Sequence, residues 1–235
     1  MRADAAFGDG FSSSVRRDIS ATDFFKDRSS LVEEVSNDPT KRIAAQARTD
    51  ELLGRWLELS AIADPWLRSH PSNGDGHVPQ PWSSPENAAR TRTAVALHSA
   101  LASYKRNLVA VAASGGPPMV RHTYFNCPAD ALDAAALDRL GGTQLLLGDD
   151  VLVAPALAPG VASVAVVVPP ACSRGRARSD DAWVDIWAPA GRPLRPLENV
   201  TVAAKLGRPA LLARNGTAAA AALVAAARAL APGPN

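Results

Sequence analysis

Arg68 and His70 stand two residues apart in the run RSHPSNGDG (Arg68–Gly76), directly after the apolar segment LSAIADPWL. Side chains two apart on an extended chain project from one face, so a guanidinium and an imidazole would share a surface there. A neutral imidazole donates at one nitrogen and accepts at the other, which suits a hydroxyl. A guanidinium holds carboxylates in a planar fork. Such a pair lines a pocket, or a loop merely carries it into water; the residue types leave both open.

The carboxylates nearby have simpler explanations than catalysis. Asp64 precedes Pro65 at a helix end, Asp75 lies between Gly74 and Gly76 in a turn, and Glu86 stands three residues after Ser83 in a capping-box pattern. None is assigned as a catalytic pair. His77, His98 and His122 read as surface or packing residues, and Trp56 and Trp66 as core. Cys127 and Cys172 are too few for a disulfide framework or a metal cluster, so no metal and no cofactor is expected.

These residues need a scaffold. With 235 residues, 47% of them hydrophobic, the chain can bury a sizeable core. Its 25 basic and 23 acidic residues nearly cancel, which argues against nucleic acid as a partner. No run of about 20 apolar residues suggests a membrane span. The start, MRADAAFGDGFSSS, lacks a basic and then apolar leader, so the cytoplasm is the default expectation.

Residues 1–47 show no period and read as a loosely ordered segment. Leu52, Trp56, Leu59 and Ala63 then recur at helical spacing up to Pro65, and DPWLRSH reads as an extended piece. Ser83, Pro85 and Glu86 open a second helix of about 28 residues, with Val95, Leu101, Tyr104 and Leu108 along one side, stopped by Gly115-Gly116-Pro117-Pro118. Beyond it, MVRHTYF, QLLLGDDVLVAPAL, VASVAVVVP, AWVDIWA, LENVTVAA and PALLAR are short strands split by turn residues. The Ala-rich stretch after Asn215 reads as a helix. The expected class is α+β: the last helix–strand–helix portion of a (β/α) barrel over 48–116, an antiparallel β-sandwich over 117–214, and an Ala-rich tail over 215–235.

Five stretches in this order resemble the C-terminal part of glycoside hydrolase family 31, the α-glucosidase family. They are ELLGRWLELSAIADPWLRSH (Glu51–His70), the helix from Ala89 ending in GGPPMVR, QLLLGDDVLVAPAL (Gln144–Leu157), WVDIWAPAGRP (Trp183–Pro193) and GRPALLAR (Gly207–Arg214). The loop RSHPSN is similar to the sulfoquinovosidase branch. The resemblance implies hydrolysis of an α-glycoside by two aspartates, with His70 bonding a sugar hydroxyl and Arg68 orienting carboxylates below it. The family's nucleophile and acid/base motifs do not occur in residues 1–47, so the expectation is a C-terminal fragment without turnover of its own. A carbohydrate is then the expected partner, and self-association through the incomplete barrel is a further expectation. Two rival readings are a non-catalytic sugar-binding or interaction module on the sandwich, and an inactive gene-model fragment.

Overall fold

The computed structural model describes residues 39–67, 79–123, 144–169 and 182–230. The chain divides into two compact units, Met1–Arg48 and Thr49–Asn235. In chain order the elements are helix α1 (Pro39–Ala63), α2 (Pro85–Ala100), α3 (Ala102–Ala113), strands β1 (Val120–Arg121), β2 (Leu145–Leu147), β3 (Val151–Ala154), β4 (Ser163–Val167), β5 (Trp183–Asp185), β6 (Asn199–Ala203), β7 (Ala210–Arg214) and helix α4 (Ala218–Ala229).

The strands form a five-stranded antiparallel sheet in the order β1-β2-β3-β7-β5 and a two-stranded antiparallel sheet of β4 and β6. The central strands are apolar at nearly every position because both of their faces are covered. Leu146, Leu152 and Leu212 are paired across β2, β3 and β7 and share one core with Val166 of β4, Val202 of β6 and Trp183. Their neighbours Leu147, Val151 and Ala213, with Leu211 and Val153, point the other way into a second core. That second core is completed by Leu57, Ala61 and Ile62 of α1, Ala94 and Leu97 of α2, Leu101, and Ala219, Ala220, Leu223 and Ala227 of α4. Period-two alternation is thus present but both phases are apolar. Each fully buried Leu or Ile in these layers stabilises by about 1.5–3 kcal/mol.

Each described stretch beyond Pro118 read as a strand contains one, and GDD is the turn between β2 and β3. The helices need corrections. The cap of α2 is Ser84, not Ser83: Ser84 Oγ accepts from Asn87 N at 3.1 Å, while Ser83 Oγ accepts from Gln80 N at 2.7 Å in the preceding turn. Tandem serines make a one-residue shift of the box invisible in sequence. The expected 28-residue helix is two abutting helices, with Leu101 (φ −90°, ψ −3°) at the joint, its N–H reaching both Leu97 O and His98 O. On α1 the buried stripe is Gly54, Leu57, Glu58, Ala61 rather than Leu52, Trp56, Leu59, Ala63. The polar contacts of Arg55 and Glu58 with the region of the smaller sheet decide that choice. Trp56 and Trp66, expected in the core, are 49% and 77% exposed, and Val95 is also exposed. Asp64–Trp66 are bends rather than strand, and the residues from Arg68 to His70 lie outside the described ones.

Candidate functional site

Arg68 and His70 lie outside the described residues, as do Asp75, His77, Cys127 and Cys172. What the structure defines is the framework on either side of their loop. Glu86 is exposed on the first turn of α2 and Asp64 is exposed past the end of α1, so neither is placed as one of a catalytic pair.

The approach to the loop is held by Lys105. This buried side chain of α3 reaches the last turn of α1, where its Nζ donates to Ala61 O at 2.8 Å and Asp64 O at 2.7 Å. A helix end leaves four carbonyls without internal partners, and here an ammonium from a neighbouring helix serves two carbonyls in that region. Its third hydrogen faces His98 Nδ1 at 3.0 Å. Burial lowers the Lys105 pKa to about 8, with the Asp64 carboxylate opposing the shift. The unfolded chain keeps the ordinary value of 10.5, so between about 8 and 10.5 it binds more protons than the folded one, and stability rises with pH across that window. Thermal melts from pH 7.5 to 10.5 should therefore show wild type gaining on Lys105→Met. The variant itself, with two carbonyls left unpaired, should be about 1–3 kcal/mol less stable at pH 7.

The return from the loop is held by Asn87. This side chain is 2% exposed; its Nδ2 donates to Asp50 Oδ1 of α1 at 2.8 Å, and its Oδ1 accepts from Arg90 Nη1 at 2.8 Å. One asparagine so ties the start of α2 back to α1.

A third cluster secures the turn between β2 and β3. Gly148 has φ +59°, and a Cβ there would lie 2.3 Å from Tyr104 Oη and 2.8 Å from Leu108 Cδ2. Tyr104 Oη accepts from the N–H groups of Asp149 and Asp150, both at 3.1 Å, and donates to Leu147 O at 3.3 Å. Arg121 donates to Gly148 O and, at 2.7 Å, to Asp149 Oδ1. Arg214 donates to Asp149 O at 3.0 Å, Gly148 N donates to Met119 O, and Asp150 O accepts from Arg214 N. Every backbone donor and acceptor of Gly148, Asp149 and Asp150 is thereby paired. Burial pushes the Tyr104 hydroxyl pKa well above its ordinary value, so it stays protonated as this geometry requires.

Sequence reasoning does not assign these roles. Gly148, Arg121 and Tyr104 all stand inside stretches that carry the family resemblance, but nothing in the sequence says that they meet. The motif WVDIWAPAG has a structural explanation too. Trp183 fills the core between the sheets, Asp185 Oδ1 accepts from Trp187 N at 2.9 Å, and Trp187 Nε1 donates to Pro209 O at 2.8 Å. Among the described residues the exposed indoles are Trp56 on α1, Trp66 in the bend after it and Trp82 in the turn before α2, none of them on a strand. Among the same residues no group of three His, Cys, Asp or Glu could hold a metal ion, and no helix is long and apolar enough to cross a membrane.

Residues 116–218 match the Glycosyl hydrolase family 31 C-terminal domain. The chain is 30% identical to the sulfoquinovosidase of Escherichia coli over 71% of its own length and 22% of that protein. It is 31% identical to an alpha-glucosidase of Aspergillus oryzae over 72% of its length and 16% of that protein. Among solved structures, a GH31 family sulfoquinovosidase from E. rectale in complex with an aza-sugar inhibitor superposes with a TM-score of 0.62 at 24% identity, covering 77% of this chain and 24% of that one. The chain therefore spans less than a quarter of each of these relatives.

Proposed function

The chain belongs to glycoside hydrolase family 31, and from that premise we propose that it supplies the C-terminal support and one wall of the sugar site of an enzyme that hydrolyses O-glycosyl bonds of α-glucosidase or sulfoquinovosidase type. The observation that carries this reading is the correspondence of the sheet-bearing region, residues 116–218, to that family's C-terminal domain. The helices packed on the sheet hold both ends of the segment containing Arg68 and His70. In this reading His70 exchanges hydrogen bonds with a sugar hydroxyl, and Arg68 orients the carboxylates beneath it.

Retaining hydrolysis needs two carboxyl groups about 5–5.5 Å apart, one as nucleophile and one as acid/base. No described carboxylate pair is assigned that role. A polypeptide of these 235 residues is accordingly expected to show no turnover of an aryl α-glucoside or an aryl sulfoquinovoside. It is also expected to bind the corresponding free sugar weakly, with nuclear magnetic resonance shifts centred on Arg68 and His70 that vanish in His70→Ala. Turnover above that of the His70→Ala variant would refute the assignment of roles, and sugar-induced shifts confined to the strands would favour a binding module instead.

A further inference from the structure

Lys105 Nζ, His98 Nδ1 and Ala61 O form a triangle with sides of 2.8, 3.0 and 3.2 Å. One carbonyl is within reach of two nitrogen bases, and the two bases are within reach of each other. This arrangement accommodates one positive charge. With His98 neutral and its proton on Nε2, Nδ1 accepts from the Lys105 ammonium, whose three hydrogens are then all used, on Ala61 O, Asp64 O and His98. With His98 protonated, Nδ1 carries a hydrogen, faces an ammonium at 3.0 Å, and has Ala61 O as its acceptor. Two cations in contact at that separation are unstable in a buried setting.

We propose that this triangle is an acid-operated latch: protonation of His98 transfers the Ala61 carbonyl from Lys105 to His98, expels the Lys105 ammonium, and frees Asp64–Leu67 from α3. The displaced ammonium has somewhere to go. Beside it lies an open hollow of about 380 Å³ lined by Pro65, His98, Ala102, Lys105, Arg106 and Val109. Among the described residues, the other charged groups bearing on the triangle are Asp64 past the end of α1 and Arg106 on α3. The Asp64 carboxylate favours the charged form of either base, and the Arg106 guanidinium at the hollow opposes a second charge there. The Asp64 N–H bonds Ser60 O at 3.1 Å without involving the triangle, so α1 itself stays wound and the release is confined to the residues beyond its end. Burial, and then the Lys105 charge, hold the His98 pKa below its ordinary value, which places the event on the acid side of neutrality. The latch does not depend on the glycosidase reading.

Backbone nitrogen-15 relaxation on the 235-residue chain tests it between pH 7.5 and 5. The expected result is a loss of order at the Trp66 and Leu67 amides, following the His98 ring titration, with order in β3 and β7 unchanged. In His98→Gln, whose amide oxygen accepts from Lys105 at every pH, that loss should disappear. Lys105→Met supplies a second reading: with the neighbouring charge gone, the His98 titration should move upward by ring-proton resonance. No loss in wild type while His98 titrates, an equal loss in His98→Gln, or a simultaneous loss in the strands would each overturn the latch, as would an unmoved His98 titration in Lys105→Met.

Discussion

Gly148→Val will cost this domain much of its stability. Two separate penalties meet at one position. The backbone sits at φ +59°, which disfavours any β-branched residue, and the side chain has nowhere to go. Its first atom would stand 2.3 Å from Tyr104 Oη, so the tyrosine must leave. When it leaves, the N–H groups of Asp149 and Asp150 and the carbonyl of Leu147 lose their partner together. Backbone strain of about 1–3 kcal/mol adds to about 1–3 kcal/mol for each buried group left unpaired. A loss above about 4 kcal/mol is expected, which lowers the melting temperature by about 10 °C or more in a domain of this size. Gly216 is the internal control. It has φ +77°, but a Cβ placed there would meet no atom within 4 Å, so Gly216→Ala should cost only about 1 kcal/mol. Equal melting temperatures for the two variants would show that the clamp on the β2–β3 turn contributes nothing.

Arg55→Ala is expected to come second, at about 3–5 kcal/mol, the usual range for removing one member of a buried ion pair. Arg55 lies on α1 facing the smaller sheet. Its Nη1 donates to Glu58 Oε2 at 3.0 Å and Ala204 O at 2.9 Å, and its Nη2 donates to Val161 O at 2.6 Å. Glu58 Oε1 in turn accepts from Gly207 N, and Glu51 Oε1 accepts from Gly160 N at 2.9 Å. The variant strands two carbonyls and leaves Glu58 buried without its countercharge. Burial already raises the Glu58 pKa, with Arg55 as the chief opposing influence. Without Arg55 the folded-state value rises further above the unfolded value of 4.5. A raised carboxyl pKa gives stability that is present below the unfolded value and lost as pH rises through the folded one. The deficit of Arg55→Ala should therefore be largest near neutrality and shrink toward pH 4.5. Chemical denaturation at pH 7 and pH 5 checks this; an unchanged or larger deficit at pH 5 would contradict it.

That same polar contact explains why α1 was legible as a helix but not as an oriented one. Leu52, Trp56 and Leu59 offer a stripe at helical spacing, and so do Leu53, Leu57 and Ala61. Apolar periodicity cannot choose between them. The choice falls to Glu51, Arg55 and Glu58, which reach Gly160, Ala204 and Gly207 more than a hundred residues away. Gly54 belongs to the same surface, since a Cβ there would meet Leu206 Cδ1 at 2.7 Å. The strands were easier because each carries its own boundaries: GDD before Val151, Gly207 and Pro209 before Ala210. Order along the chain could not reveal that β7 lies between β3 and β5, because strand pairing is a property of the closed sheet. The turn clamp was hidden for a related reason. Tyr104, Arg121, Asp149 and Arg214 come from four places in the sequence, and nothing in their spacing predicts that they meet. The loop bearing Arg68 and His70 was legible as punctuation and as a resemblance; its supports, Lys105 and Asn87, were not, because a lysine and an asparagine on helices ordinarily read as solvated.

The central position of β7 has a consequence for synthesis. Val151 of β3 pairs with Ala213, and Asp185 of β5 pairs with Leu212, so two halves of the sheet wait for one five-residue strand made after both. A nascent chain that has released only residues up to 209 presents β3 and β5 as two open edges with unpaired backbone groups, the kind of surface that recruits strands from other chains. Closure awaits the emergence of residues 210–214 from the ribosome, and the interval before it is when translational pausing or holding by a chaperone would have most influence on yield.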